Sequence, residues 1–242
     1  MEKQSPLISV IMPLYNAERF VGESICNILG QTVGDFELIV IDDASTDSSY
    51  DIASRYAAQD ARIVLMRNDA NHGAAYTRNR GLETARGSFI TFMDADDRCS
   101  PERFARQTAF FGQHPQIDLC GSYYTMFGPD DAREQKIQDP ITHEGIRIQM
   151  LFGCPFAMSG VMMRRGAFLR SGVRFRATMA EDYLFWAELS GHMRMANIPE
   201  HLSFYRRWEN QLSTSQLDRQ TLSAQAIQRL SLIHISEPTR PY

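Results

Sequence analysis

The chain has 242 residues, 43% of them hydrophobic and 22% charged, which supplies a core for one α/β domain or two tightly packed halves. A formal net charge of -4 and a pI near 5.9 exclude a global attraction to nucleic acid, so any anion-binding surface is local and no nucleic-acid partner is expected. No apolar run approaches the roughly 18 residues of a membrane span, and Met1 to Pro6 lack the apolar core of a signal peptide.

Up to Ser100, apolar runs alternate with amphipathic segments, the pattern of βα units on a parallel sheet. Leu7 to Met12 is predicted as the first strand, ended by Pro13, which cannot donate to a ladder. Asn16 is predicted to cap a helix to about Gln31 that turns Phe20, Val21, Ile25, Ile28 and Leu29 inward. The second strand, Phe36 to Ile41, stops at Asp42-Asp43. Ser45 or Thr46 is expected to cap the next helix, whose apolar face is Ile52, Ala53 and Tyr56, and Ile63 to Met66 follows as a third strand. Asn71-His72-Gly73 turns the chain into a helix from about Ala74 to Ala85. Ser88 to Met93 is the fourth strand, and Ser100-Pro101 opens another helix as N-cap and first helical residue.

Beyond about residue 115 the pattern is less regular. It offers a strand at Leu119 to Met126, a polar loop from Gly128 to Asp139, a short helix near Glu144 to Phe152 and a strand at Met158 to Met163. A helix follows Glu181-Asp182, then a strand at Met193 to Ile198 and a final helix from about Ser215 to Leu230. Residues 231–242 lose periodicity and read as a non-native or disordered tail, resembling a translated cloning scar. The chain thus divides into residues 1–114, residues 115–230 and the tail.

Chemistry concentrates where Phe89-Ile90-Thr91-Phe92-Met93 runs into Asp94-Ala95-Asp96-Asp97. Carboxylates crowded at a strand end repel one another unless a cation, a positive side chain or a proton intervenes. Among 16 aspartates, an Asp-x-Asp match arises about once by chance, so the strand-end context carries the signal rather than the spelling. If extended geometry persists, Asp94 and Asp96 face one side and can share an ion, and hard oxygen donors suit Mg or Mn. The bland alternative is that Asp96 or Asp97 caps the next helix. Asp42-Asp43 has the same two readings: a helix entry, or an acceptor for a nucleotide base or sugar hydroxyl.

Other residues point less sharply. Cys26, Cys99, Cys120 and Cys154 form no Cys-x-x-Cys pair and read as reduced thiols in a cytoplasmic protein. His72 and His201 lack a ligand-spaced partner and read as structural. Trp186 sits at helical spacing with Leu189 and reads as core, whereas Trp208, between Arg207 and Glu209, is the better candidate for exposure and ring stacking. An aspartyl phosphatase would need a lysine downstream of the motif beside the phosphate, and Lys136, in a polar loop, is the only one there. Pro13-Leu14-Tyr15-Asn16 stands where a dinucleotide oxidoreductase carries Gly-x-Gly-x-x-Gly, and no Gly-Lys-Ser/Thr of a P-loop is present.

Four ordered segments, Ser9 to Asn16, Ile39 to Asp47, Asn71 to Asn79 and Phe92 to Asp97, resemble family 2 glycosyltransferases, the inverting, nucleotide-sugar-dependent enzymes of the GT-A fold. Glu181 to Trp186 and Tyr205-Arg206 extend the resemblance more loosely. It implies a doubly wound, mixed, mostly parallel sheet flanked by helices, with residues 1–114 as a nucleotide-sugar-binding half joined to a smaller acceptor-binding half. It implies that Pro13, Tyr15 and Asp43 hold the nucleoside and that Arg78 steadies the nucleotide side. Asp94 and Asp96 would contact the sugar and a Mn2+ or Mg2+ ion, chiefly through Asp96, and Asp182 would be the catalytic base. The implied partners are a nucleotide sugar, UDP-sugar favoured, and a glycan or lipid-linked acceptor in bacterial cell-envelope polysaccharide synthesis, with peripheral association at the cytoplasmic face of the inner membrane. The alternative is a GT-A-like nucleotide- or glycan-binding module without turnover. Oligomeric state is not encoded in any of these features.

Overall fold

The computed structural model describes residues 5–128, 134–208 and 226–228. Its frame is one sheet, built first from four parallel strands: β1 (Ile8–Leu14), β2 (Phe36–Asp42), β3 (Ile63–Arg67) and β4 (Phe89–Phe92). Alternation of side chains divides the core in two. Val10, Met12, Leu14, Leu38 and Val40 pack beneath α1 (Val21–Leu29) and α2 (Ser49–Gln59), while Ile11, Ile39 and Ile41 face α3 (Ala74–Thr84). In α1 the buried residues Val21, Ser24, Ile25 and Ile28 fall on one helical stripe, as their spacing predicts.

The remaining elements are β5 (Arg98–Cys99), α4 (Arg103–Gln113), β6 (Leu119–Phe127), β7 (Gln135–Ile137), α5 (His143–Gln149), β8 (Met162–Arg164), α6 (Arg165–Ser171), α7 (Glu181–Leu189) and β9 (Met195–Arg206). A 3-10 turn at Met158–Gly160 precedes β8. Strand order is β3-β2-β1-β4-β8-β6-β9-β5, with β7 paired to β6. Strands β8, β6 and β9 therefore extend the same sheet, through antiparallel β4/β8 and β6/β8 pairs and a parallel β6/β9 pair. Consecutive in sequence, β4 and β5 sit apart, because β5 crosses to the edge beside β9. The chain reverses direction across the sheet between β1 and β4, and ligands of open α/β sheets gather at such a switch point.

Several boundaries differ from the sequence expectation, each for a physical reason. Pro13 lies inside β1, paired in register with Ile41. Its missing N–H does no harm: the Met93 amide bonds to Ile11, and Pro13, two residues on, points to the same side just past the end of that ladder. Asn16 does not cap α1, whose first residue is Val21; it adopts a left-handed φ of 47° and serves the loops instead. Neither Asp96 nor Asp97 caps α4, which begins at Arg103 after Glu102. The expected strand at Met158 to Met163 is a 3-10 turn followed by the short β8. Residues 226–228 are helical with Ile227 buried; the rest of the predicted final helix, the tail 231–242 and part of the polar loop lie outside the described residues.

Candidate active site

At the ends of β1 and β2 the loops are tied to each other. The Asn16 side chain accepts from the Thr46 amide at 2.9 Å, and the Asn16 amide donates to Ser45 Oγ at 3.1 Å. This arrangement leaves Tyr15 47% exposed, its ring free to meet a planar ligand. Asp42 is fully buried, paired with Arg67 at 3.0 Å and accepting from the Ser45 amide, so it braces the loop. Asp43 is also buried: its carboxylate accepts from Asn68 Nδ2 at 2.6 Å, the His72 amide at 3.0 Å and the Gly73 amide at 2.7 Å. Three donors occupy most of the about four lone-pair sites a carboxylate offers. Asp43 thereby folds the loop that leads into α3, and Gly73 meets that geometry with a φ of 87°. The His72 ring pairs with Asp69 at 2.8 Å, in keeping with a structural role.

Helix α3 delivers Arg78. Gly81, one turn later, lets the helix press onto the sheet; a Cβ there would sit 2.5 Å from Ile11 Cγ2. Arg78 is buried and donates to Asp94 Oδ1 at 3.0 Å and to Glu181 Oε1 at 2.8 Å. Burial works against its charge, but Asp94 and Glu181 outweigh it and hold the guanidinium firmly protonated. Arg78 thus bridges the carboxylate after β4 to the first residue of α7.

Strand β4 ends at Phe92, so Asp94 and Asp96 occupy a turn closed by the Asp97 amide on the Asp94 carbonyl, not an extended segment. Ser159 Oγ accepts from the Asp94 amide at 3.0 Å and donates to Asp97 Oδ2 at 2.6 Å. Asp97 also accepts from the Arg206 amide at 2.9 Å; burial, then the charges of Asp96 and Asp94, push its carboxyl well above the usual range. It is a structural acid. Asp96 accepts from Trp208 Nε1 at 2.9 Å, and its carboxyl is raised by burial and then by the charge of Asp94. Burial, the larger cause, disfavours the charged form, and the neighbouring carboxylate adds to it. Asp94 and Asp96 are hard oxygen donors and suit Mg2+ or Mn2+. No cluster of three His, Cys, Asp or Glu side chains suited to a metal exists among the described residues, so water and a ligand's phosphates would complete the shell.

A cavity of about 780 Å³ opens beside these loops, within the usual size for a small-ligand site. Arg78, Asp94, Glu181 and Asp182 line it, and Tyr124, Cys154 and Tyr205 are among its other walls. Of the sequence-predicted site residues, Arg78, Asp94 and Asp182 therefore meet in one cavity. Pro13, Tyr15, Asp43 and Asp96 are not among its lining residues. Asp182 lies in the first turn of α7, where burial, then the charge of Glu181, push its carboxyl up to about 6 while Arg78 holds it down. A carboxylate poised there is unprotonated at neutral pH yet basic enough to take a proton.

Sequence reasoning missed Glu181 as the second partner of Arg78, and Ser159 and Asn68 as the braces of Asp94 and Asp43. Only Glu181 carried a signal, its adjacency to Asp182. Trp208 is half-buried, its ring edge donating to Asp96 and its ring packed at a tilt on Phe20.

A mixed, mostly parallel sheet with a switch point and a carboxylate-lined cavity beside its strand ends is the scaffold of a ligand-binding α/β enzyme. The chain belongs to glycosyl transferase family 2, whose model matches residues 9–172, and is a glycosyltransferase. A Haemophilus influenzae glycosyltransferase is 32% identical over 239 residues, covering 95% of this chain and 74% of its own. Bacillus subtilis EpsE, named as a glycosyltransferase, is 34% identical over 247 residues, covering 96% of this chain and 88% of its own. S. aureus TarS residues 1-349, solved with UDP-GlcNAc, superposes with a TM-score of 0.77 at 23% identity, covering 97% of this chain and 68% of that one. The mannosyltransferase PcManGT of Pyrobaculum calidifontis, solved with GDP-Man and Mn2+, gives 0.67 at 17% identity, covering 97% and 75%. At these identities the two structures establish the GT-A fold.

Proposed function

We propose that the protein is a metal-dependent inverting transferase that moves a sugar from a nucleoside-diphosphate sugar, UDP-linked in the favoured case, to a hydroxyl of a glycan or lipid-linked acceptor. The observation that carries the reading is the single cavity shared by Asp94, Arg78 and Asp182. Inversion is one displacement at the anomeric carbon, so the acceptor hydroxyl and the leaving diphosphate lie on opposite faces of the sugar. Asp182 is assigned to the acceptor side: it takes the hydroxyl proton as the new bond forms, a contribution typically worth about 10² to 10⁴ in rate. Asp94 and Arg78 meet the donor sugar and its diphosphate, and Tyr15 and Asp43 the nucleoside. Asp96 and Asp94 would hold a divalent ion, which when bound would supply Lewis-acid stabilisation of the leaving charge. Pro13 joins Tyr15 and Asp43 on the nucleoside side.

Cell-envelope polysaccharide synthesis is supported by names among the relatives, such as the Bacillus subtilis glycosyltransferase TuaG, named for teichuronic acid biosynthesis and 31% identical over 156 residues. No helix of the described residues is long and apolar enough to cross a membrane, and a peripheral position at the cytoplasmic face is the proposed location.

The roles separate experimentally. Asp96→Ala is expected to abolish Mn2+-dependent donor binding, read by calorimetry against UDP-, GDP- and dTDP-sugars, whereas Asp182→Asn leaves binding nearly intact and lowers kcat by about 10² to 10⁴. Equal loss of binding in both variants contradicts the assignment. Release of no nucleoside diphosphate from any donor, with or without acceptors, leaves a binding module in its place.

A further inference from the structure

The strand β9 ends against the loop that holds Asp96, and the contact is built from both sides. The Arg206 amide donates to Asp97 Oδ1 at 2.9 Å, its Nε to the Asp96 carbonyl at 2.7 Å and its Nη2 to Glu23 Oε2 at 2.5 Å. Its guanidinium also lies over Phe20 and Phe127, at 4.5 and 4.6 Å from the ring centroids. Two residues on, the Trp208 ring packs on Phe20 with centroids 5.6 Å apart, and Nε1 donates to Asp96 Oδ2 at 2.9 Å. Asp96 is therefore held at two points, its carbonyl by Arg206 and one carboxylate oxygen by Trp208.

The two acids of the motif are held by different chemistry. A buried guanidinium pairs with Asp94 and cancels much of its charge. The indole N–H on Asp96 is neutral, so it fixes the carboxylate and leaves its charge in place. A carboxylate pinned through one oxygen presents the other.

We propose that Trp208 is a positioning residue of the cation site: its indole N–H holds Asp96 in one orientation, so the carboxylate meets a divalent cation through Oδ1 alone. The inference rests on the metal-dependent reading above. It makes Asp96 the principal protein ligand and Asp94, shared with Arg78, the lesser one. Residues that orient a ligand in this way typically contribute about 10- to 100-fold in metal affinity.

Trp208→Phe keeps an aromatic ring against Phe20 and removes the donor together with part of the indole's bulk. Binding of Mn2+ to the full chain with UDP, followed by the electron paramagnetic resonance of the free ion, is expected to weaken about 10- to 100-fold. The affinity for UDP without metal and the melting temperature stay close to those of the parent, which a merely structural role for the indole does not allow. Unchanged Mn2+ affinity in the variant overturns the proposal.

Should the variant not fold, the parent protein carries the test through fluorescence. Mn2+ at Asp96 lies beside the Trp208 indole and quenches its emission, while the fully buried Trp186 keeps its own. Full emission at Mn2+ saturation overturns the positioning role. A parent protein that binds no Mn2+ with UDP removes the metal-dependent reading itself, and this inference with it.

Discussion

Asp182 shows how a residue's surroundings set its working range. Its carboxyl is pushed up to about 6, so in the proposed role of base its proton must leave before the group can act. The expected kcat/KM therefore climbs about tenfold per pH unit on the acid side and levels off above about 6, a limb that belongs to the free enzyme. Arg78 holds the value down, so Arg78→Gln moves the limb to higher pH and Arg78→Lys moves it less; parallel pH–rate profiles of the three proteins check this. An unmoved limb in Arg78→Gln separates Arg78 from the base. At this scale the sequence was informative about identity and uninformative about partners. Asp43, Asp94, Asp96 and Asp182 were all singled out, but nothing along the chain tells that Asp43 is taken up by Asn68, His72 and Gly73, or that Asp97 is the buried acid of the group. Those partners come from other elements, and one-dimensional spacing does not record them.

Among the elements, α3 depends on a single missing methyl. Gly81→Ala would place Cβ 2.5 Å from Ile11 Cγ2 and 3.1 Å from Ile41 Cδ1, and neither branched side chain has free space in the core. We expect a loss of about 1 to 3 kcal/mol in chemical denaturation, the usual range for overpacking. Activity falls as well, because the displaced helix carries Arg78. A fully stable Gly81→Ala protein contradicts the close packing assigned here. Elements with strong periodicity were legible: β2, β3, α3 and β6 lie within two residues of their sequence-derived bounds. The short ones were not. β5 has two residues and β7 three, too few for a period to register, and α6 has seven, its end marked by Gly172 at a φ of 68°. The helix start expected at Asn16 failed because an Asn suited to capping is equally suited to a left-handed turn.

The whole molecule carries buried acids that favour their protonated forms. Asp139 lies in the loop after β7, with Oδ2 buried and, among the described residues, without a hydrogen-bond partner, and burial pushes its carboxyl up to about 6. A folded-state value above the unfolded one stabilises the fold below about pH 4 and loses that contribution as pH rises through about 6. Asp139→Asn removes the titration, so at pH 7 the variant should be more stable, on the order of 2 kcal/mol, with a flatter decline between pH 4 and 6. Melting temperatures at several pH values check this, and a less stable variant at pH 7 contradicts it. The α/β class and the βα order were legible because repeated units leave a repeated pattern. The joining of both halves in one sheet was not, since β8, β6 and β9 are set by pairings far apart in the chain.

The return of β9 to the loop after β4 also has a bearing on when the protein matures. Arg206 and Asp97 are separated by 109 positions, and Trp208 and Asp96 by 112. Contacts of such separation form late, and a growing chain emerges N-terminus first. The first four strands can assemble while synthesis continues, but Asp96 stays unbraced until Arg206 and Trp208 have left the ribosome. On the proposed reading, the cation site is complete only once Trp208 has left the ribosome.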